Sequence, residues 1–320
     1  MTRRCVVLGL IPPAGVERLR AAGVEVDIVP APSTVDVAAK VAGADAIIAR
    51  TSPITAALVA AAPRLRIVAR YGVGYDNIDV PALTRRRIPL ATIGDVNAMP
   101  VAEQTFALLL TLSRRVIAYD AASRDGSWKL RDSLTIWELA AKTIAIVGLG
   151  RIGKAVAKRS LAFDMKVVAV DPAVSEAVMA SLGVRRVASL REALGQADIV
   201  TLHLPLSDAT RNLLGAAELA AMKPGSVLIN AARGGIVDEA ALAAALRSGH
   251  LAGAGVDVLA QEPPPADHPL LGLDNLVISP HCAALTAECA IRMSLTCAEN
   301  VLGAFDGTLD RSRVVNPEVL

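Results

Sequence analysis

The feature that most constrains this chain is a repeating alternation. Short runs rich in Val and Ile fall at Val6–Leu10, Val24–Val29, Ala46–Ala49, Arg66–Ala69 and Pro89–Ile93, separated by stretches with helical spacing. After a break the pattern resumes at Thr143–Val147, Lys166–Val170, Arg185–Val187, Ile199–Leu204, Ser226–Asn230, Ala254–Val258 and Leu276–Ser279. A strand followed by a helix returns to its sheet beside a parallel neighbour, so the pattern predicts βαβ units with right-handed crossovers. The residues are 53% hydrophobic but only 2% aromatic, and the apolar surplus is Ala, Val, Leu and Ile. That mixture suits strands buried on both faces under Ala-rich helices. At 320 residues the chain exceeds one ordinary core, which predicts two domains.

The break locates the boundary. Ala98–Asp120 has apolar residues at helical spacing and predicts one long helix leading from a first α/β domain into a second. A polar stretch containing Trp128, and then Leu134–Ala141, precede the next strand. Thr286–Phe305 is again helical in spacing and follows the last strand. If it returns to the first domain, residues 1–98 and 287–320 form one discontinuous domain and 99–286 the other. The expected fold class is α/β, with two Rossmann-like or flavodoxin-like parallel-sheet domains. Ligands would bind at the carboxyl ends of the strands, in a cleft between the domains.

Several function classes are excluded. The net charge is +2, from 33 basic and 31 acidic residues, and no run of five or six like charges occurs, so no nucleic-acid partner is expected. No apolar run approaches the ~20 residues of a membrane span, so no membrane partner is expected. The N-terminus MTRRCVVLGLIPPAG imitates a signal peptide, but its apolar run is short and Pro12-Pro13 ends it. It reads as a first strand, and the expected compartment is the cytoplasm. Cys5, Cys282, Cys289 and Cys297 form no disulfide framework in a chain of this size. The last three are spaced along one helical face. Cys282 beside His281 suggests zinc, yet no ligand spacing supports it, so no metal is expected and the thiols read as buried.

The strongest local motif is TIAIVGLGRIG at Thr143–Gly153. A strand runs into Gly148-Leu149-Gly150-Arg151-Ile152-Gly153, and a helix is expected from Lys154 onward. Gly148 permits the tight turn, Gly150 lets a pyrophosphate approach the backbone, and Gly153 lets helix pack on strand. The helix N-terminus offers N–H groups to the phosphates. The next strand ends at Asp171, an acceptor for ribose hydroxyls that would repel a 2′-phosphate. Pro172 and Ala173 offer no compensating Arg, so NAD is expected over NADP.

Four histidines are candidates for proton chemistry. His250 and His268 stand in Gly-flanked and Pro-rich loops and read as surface residues. His203 and His281 end strands, where ligands collect in such sheets. Together with GLGRIG, the segments ARYGVGYDNID (Ala69–Asp79), NAARGGIVDEAAL (Asn230–Leu242), GVDVLAQEPP (Gly255–Pro264) and SPHCAALT (Ser279–Thr286) resemble the D-isomer-specific 2-hydroxyacid dehydrogenases. The resemblance covers nearly the whole chain, in order. It implies an oxidoreductase that moves a hydride between NAD and a small 2-hydroxy or 2-keto acid.

Motif by motif, the resemblance implies a catalytic set of Arg233, Glu262 and His281. Arg233 would bind the substrate carboxylate and keto oxygen, Glu262 would hydrogen-bond His281, and His281 would be the acid/base. Val73 and Gly74 would grip the carboxylate through their backbone. Asp257 would hold the nicotinamide carboxamide, while Arg151, Ile152, Pro205, Thr210, Ala231, Ala232 and Ala284 would line the dinucleotide. The chemistry stands without the family: reducing a keto group places charge on oxygen and needs a proton donor near neutral pKa. A carboxylate partner favours the imidazolium, and Arg presents a planar fork to a carboxylate.

Two departures and one rival remain. Cys282-Ala283-Ala284 replaces the small residues with a Gly that often follow the family's His. The chain also lacks the C-terminal regulatory extension of many serine-pathway phosphoglycerate dehydrogenases, so serine feedback is not expected. Corepressors of the C-terminal-binding-protein type, NAD(H)-sensing binding proteins, resemble the same family and usually carry a long polar tail. This chain ends soon after its last helical stretch. A homodimer through the second domain is expected from the apolar Phe106–Leu112 run with Trp128 and Trp137. Arg50, ending a strand in AIIARTSP, reads either as a reader of a second anionic group on the substrate or as the partner of Asp76 or Asp79.

Overall fold

The computed structural model describes residues 2–34 and 36–320. It divides into two compact units, Met1–Asn97 with Leu285–Leu320, and Ala98–Ala284. Each is built on its own parallel sheet.

The first unit contains β1 (Arg4–Leu8), β2 (Glu25–Val29), β3 (Ala46–Ala49), β4 (Ile67–Arg70) and β5 (Leu90–Ala91), in the order β2-β1-β3-β4-β5. Every pairing is parallel. This is the order of flavodoxin-like sheets. β1, β3 and β4 are buried almost throughout, as their unbroken apolar runs require. β1 stops at Leu8, because Gly9 turns the chain at φ 104° and Leu10 is exposed. The C-terminal helix Ala287–Asp306, capped by Thr286, packs on helix Pro13–Ala21. A Cβ on Gly15 would come within 2.2 Å of Ser294 O, so glycine is what permits that approach. Cys289 and Cys297 lie buried on the C-terminal helix, whereas Cys282 precedes it, so the three cysteines do not share one helical face. Burial pushes the Cys297 thiol up to about 12.

The second unit contains β6 (Thr143–Val147), β7 (Lys166–Val170), β8 (Arg185–Arg186), β9 (Ile199–Leu202), β10 (Ser226–Asn230), β11 (Leu251–Val256) and β12 (Leu276–Ile278). Their order is β12-β11-β10-β9-β6-β7-β8, all parallel. Two halves diverge from β6, which is the topology of dinucleotide-binding sheets, and the switch point lies between β6 and β9.

Three expectations are corrected. Ala98–Asp120 is not one helix: Ala98–Ser113 and Val116–Asp125 are separated at Arg115, whose φ is 49°. The Ser113 carbonyl accepts from Trp137 N–H (3.0 Å) and the Arg115 guanidinium donates to Thr135 (2.8 Å). The returning segment thus takes up the first helix's end. The helix after the glycine loop begins at Arg151, with Gly150 as its N-cap, three residues before the expected Lys154. His268 is not a surface residue, since its side chain is only 8% exposed and lies 2.9 Å from Glu239. Among the described residues, no helix is long and apolar enough to cross a membrane.

Candidate active site

The glycine loop follows β6. Gly148 has φ 92°, and a Cβ there would meet His203 O at 2.6 Å; a Cβ on Gly153 would meet Gly148 O at 2.2 Å. Both positions are closed by the protein itself. Gly150 differs, with an ordinary φ of −73° and nothing within 4 Å of a Cβ. The fold does not require glycine there, so the open space is available to a ligand that touches the backbone. The helix it caps, Arg151–Ala162, has no acidic residue in its first turn and no side-chain cap, which leaves its N–H groups for an anion.

Asp171 follows β7 and accepts from Leu149 N (2.7 Å) and Ala173 N (2.8 Å). It therefore braces the glycine loop and caps its own turn, with lone pairs left for hydroxyls. Ile152, Ala231 and Ala284 come from three separate segments and meet in one apolar cluster with Val101 and Ala283. Ala232 is buried beside Ala231. Pro205 and Thr210 are joined directly, since the Thr210 hydroxyl donates to Pro205 O (2.7 Å) and accepts from Ser207 N (2.8 Å). Of these, Ile152, Ala231 and Ala284 are brought together in one cluster, and they, Asp171, Pro205, Thr210 and Ala232 are the residues that could hold a dinucleotide.

Beyond β10 the chain turns through Ala231–Gly235. The buried Asn230 side chain fixes this turn, accepting from Ala232 N (3.1 Å) and donating to Arg233 O (3.0 Å). A Cβ on Gly234 would lie 2.0 Å from Leu259 O, so glycine lets the Arg233 turn press against the loop that carries Glu262. Glu262 accepts from Leu259 N through Oε1 (3.0 Å), and its Oε2 lies 2.7 Å from His281 Nδ1. Burial alone would raise the Glu262 carboxyl. Hydrogen bonds from His281 and Leu259, with the charges of His281 and Arg233, outweigh it and hold the group below its ordinary value.

His281 has φ 50°, a left-handed conformation that costs an L-residue about 1–2 kcal/mol. Asp257 accounts for it. The Asp257 carbonyl accepts from His281 N (2.7 Å). Its carboxylate accepts from Cys282 N (3.0 Å), Ala283 N (2.9 Å) and the Ser279 hydroxyl (2.5 Å). Gln104 donates to Ser279 at 2.9 Å. Asp257 is thus the brace of the His281 turn, and with the Cys282 thiol at 3.7 Å this buried carboxylate already has four donors inside the chain. The ring of His281 remains half exposed.

His203, the other strand-end histidine, is unlike it. Its Nε2 lies 2.9 Å from Thr201, Nδ1 is sealed from solvent without a partner among the described residues, and burial lowers its pKa to about 3. Such a ring is neutral near pH 7 and donates no proton as an imidazolium. Among the described residues no cluster of His, Cys, Asp and Glu could hold a metal.

In the first unit, Arg70 Nε donates to Gly74 O (2.7 Å) and Nη1 to Tyr71 O (2.8 Å) and to Arg50 O, tying the Val73-Gly74 loop to the end of β3. Arg50 Nη1 donates to Leu10 O (2.9 Å), and Asp79 caps helix Val80–Arg85 through Ala82 N (2.9 Å). Asn230, Ser279 and Arg70 stand inside quoted motifs, yet only the fold reveals that they brace the turns. Gln104 carried no signal, because its partner lies far along the chain.

The family model of the D-isomer specific 2-hydroxyacid dehydrogenase NAD-binding domain matches residues 106–283, more than half of the chain. The chain belongs to the D-isomer-specific 2-hydroxyacid dehydrogenase family. It is 45% identical over 285 residues to a D-3-phosphoglycerate dehydrogenase of Mycobacterium tuberculosis, covering 89% of this chain and 53% of that protein. The chain thus spans about half the length of the first curated relatives it matches. A glyoxylate reductase of Korarchaeum cryptofilum is 40% identical over 293 residues, with 90% of this chain and 88% of the relative covered. Among solved structures, the D-lactate dehydrogenase of Aquifex aeolicus complexed with NAD and lactic acid superposes with TM-score 0.88. It is 28% identical, over 97% of this chain and 99% of that one. The 2-hydroxyacid dehydrogenase fold is therefore common to relatives named for different substrates.

Proposed function

We propose that the chain is an NAD-dependent dehydrogenase interconverting a small 2-hydroxy acid and its 2-keto acid. The observation that carries the reading is the His281–Glu262 pair, 2.7 Å apart on a braced turn, with the Arg233 charge acting on the same carboxylate. NAD supplies and accepts the hydride when bound. Gly148, Gly150, Arg151, Ile152, Gly153, Asp171, Pro205, Thr210, Ala231, Ala232 and Ala284 would hold it. Asp257 would act through the turn it braces, and its route to the carboxamide is through whatever lone pairs remain. Because Nδ1 faces Glu262, Nε2 of His281 is the atom that protonates the keto oxygen. Arg233 orients the substrate carboxylate and offsets charge growing on the oxygen. In the first unit, Val73 and Gly74 would contribute backbone donors to the carboxylate. NADH oxidation with glyoxylate, hydroxypyruvate, pyruvate, and the keto acids of 3-phosphoglycerate and sulfolactate tests the reading; no turnover with any of them overturns it.

NAD should be preferred to NADP. Asp171→Ala should narrow the kcat/KM preference, chiefly by weakening NAD, because it also removes the brace on Leu149. A wild-type ratio near one would reject the role of Asp171. Arg50 is the candidate reader of a second anionic group, with one of its N–H groups engaged by Leu10 O. Arg50→Ala should raise KM for a dianionic keto acid ~10-fold, equivalent to ~1.4 kcal/mol, and leave glyoxylate and pyruvate nearly unchanged. Equal effects on both classes would show that Arg50 supports the loop.

A homodimer through the second unit completes the proposal, on a revised basis. Phe106, Leu108 and Leu109 are buried in the unit's own core and are not available to a partner. Val116, Ile117, Trp128 (65% exposed) and Leu134 (87%) are exposed apolar side chains of the segment after the first helix, and Ile117 lines a groove of about 900 Å³ together with Trp137 and Leu273. Apolar surface of this kind marks a partner site. Light scattering at micromolar concentration should give a dimer, and a monomer would refute it.

A further inference from the structure

We propose that Glu239 and His268 form a positioning pair that sets Glu262, and through it His281. The inference deepens the functional reading and rests on His281 as proton donor. The loop after β11 carries Glu262, and two consecutive amides near its start are each held by a carboxylate. Glu262 Oε1 takes Leu259 N at 3.0 Å, and Glu239 Oε1 takes Ala260 N at 2.6 Å. The other oxygen of Glu239 lies 2.9 Å from His268 Nε2, at the far end of the same loop. One carboxylate thereby clasps the loop before and after Glu262.

The pair is enclosed, with side chains 16% and 8% exposed. Glu239 is the first residue of helix Glu239–Arg247, where the helix end favours a negative charge. From below, the Leu259 carbonyl rests on Gly234, which leaves no room for a Cβ. The Leu259–Ala260 peptide is therefore fixed from two sides, by Gly234 and by Glu239. Glu262 anchors one oxygen on that peptide's neighbour and turns the other to His281 Nδ1. Releasing Ala260 N would let the anchor rotate and weaken Glu262's hold on the ring. A buried acid–histidine pair adds little to stability over an apolar substitute, so its value here is the orientation it imposes.

The test is an NMR titration of the histidine rings in wild type, Glu239→Ala, Glu239→Gln and His268→Ala, with His281 identified from the spectrum of His281→Ala. In Glu239→Ala the His281 midpoint should fall measurably below that of the wild type, since the ring loses the well-placed carboxylate now 2.7 Å from its Nδ1. Glu239→Gln keeps an oxygen for Ala260 N and should recover most of the difference. His268→Ala should give a smaller shift in the same direction, and it carries the test if Glu239→Ala does not fold. An unmoved midpoint would overturn the proposal, whatever happens to the melting temperature. The kcat of keto-acid reduction should fall ~10-fold in Glu239→Ala but much less in a Glu262→Gln background, because the two act in series. Additive losses would also overturn it. The titration needs no turnover, so a wild type that reduces no 2-keto acid would sink the functional reading while the positioning effect is still measured.

Discussion

His281→Ala is expected to lower kcat for keto-acid reduction by at least ~10²-fold, the lower end of what a positioned general acid contributes. NADH affinity should change little, since the ring stands apart from the glycine loop in the chain and its neighbours Cys282 and Ala283 stay tied to Asp257. A loss confined to kcat would mean that the removed contact belongs to the transition state. His203→Ala is the matched control. That ring is buried and neutral near pH 7, so its removal should affect stability before chemistry. If His203→Ala were the more damaging change to kcat, the proton donor would have been misassigned. The pH profile supplies a second sign. Glu262 sits below its ordinary value partly through His281, and the same attraction favours the imidazolium. Glu262→Gln withdraws that charge, so the protonated donor persists only to lower pH, and the reduction profile should move in the acidic direction. A profile that stays in place would remove Glu262 from the mechanism.

Strands were legible where the chain is apolar without interruption. Thr143–Val147, Lys166–Val170, Ser226–Asn230 and Ala46–Ala49 fall where the β-branched runs stand, because burial on both faces leaves no choice of residue. Helix ends were less legible. Nothing near Arg115 announces a break, since the group that takes the Ser113 carbonyl is Trp137 N–H, further along the chain. The same holds at the site. Resemblance singled out Arg233, Glu262 and His281, but not why His281 tolerates a left-handed backbone. That depends on Asp257, Ser279 and Gln104, whose hydrogen bonds join distant segments and leave no periodic trace. His268 misled for a similar reason. A Pro-rich neighbourhood reads as surface, and its burial follows from Glu239, on the far side of β11. Local patterns report on burial and turns, whereas the braces of a site are long-range pairs.

The three glycines of the cofactor loop allow a sharper separation, because the motif asks for all of them and the fold asks for two. Gly153→Ala places a Cβ 2.2 Å from the Gly148 carbonyl, a contact that only backbone movement relieves. Overpacking of that kind costs about 3 kcal/mol, which should lower the melting transition of the second unit by roughly 6–12 °C. Gly150→Ala meets nothing within 4 Å and keeps an allowed φ. Its cost to the fold is the small difference between Gly and Ala at an N-cap, under about 1 kcal/mol. Its cost to the cofactor should be large. A methyl group in the space where a pyrophosphate approaches the helix N-terminus should raise the Kd for NADH at least ~10-fold, or ~1.4 kcal/mol. Calorimetric titration and thermal melting on the same two variants would decide the matter. Wild-type NADH affinity in Gly150→Ala would show that no phosphate approaches that backbone, and the dinucleotide would have to be placed elsewhere. A large thermal loss in Gly150→Ala would instead mean that the glycine serves the fold, and the open space around it would lose its meaning as a ligand's.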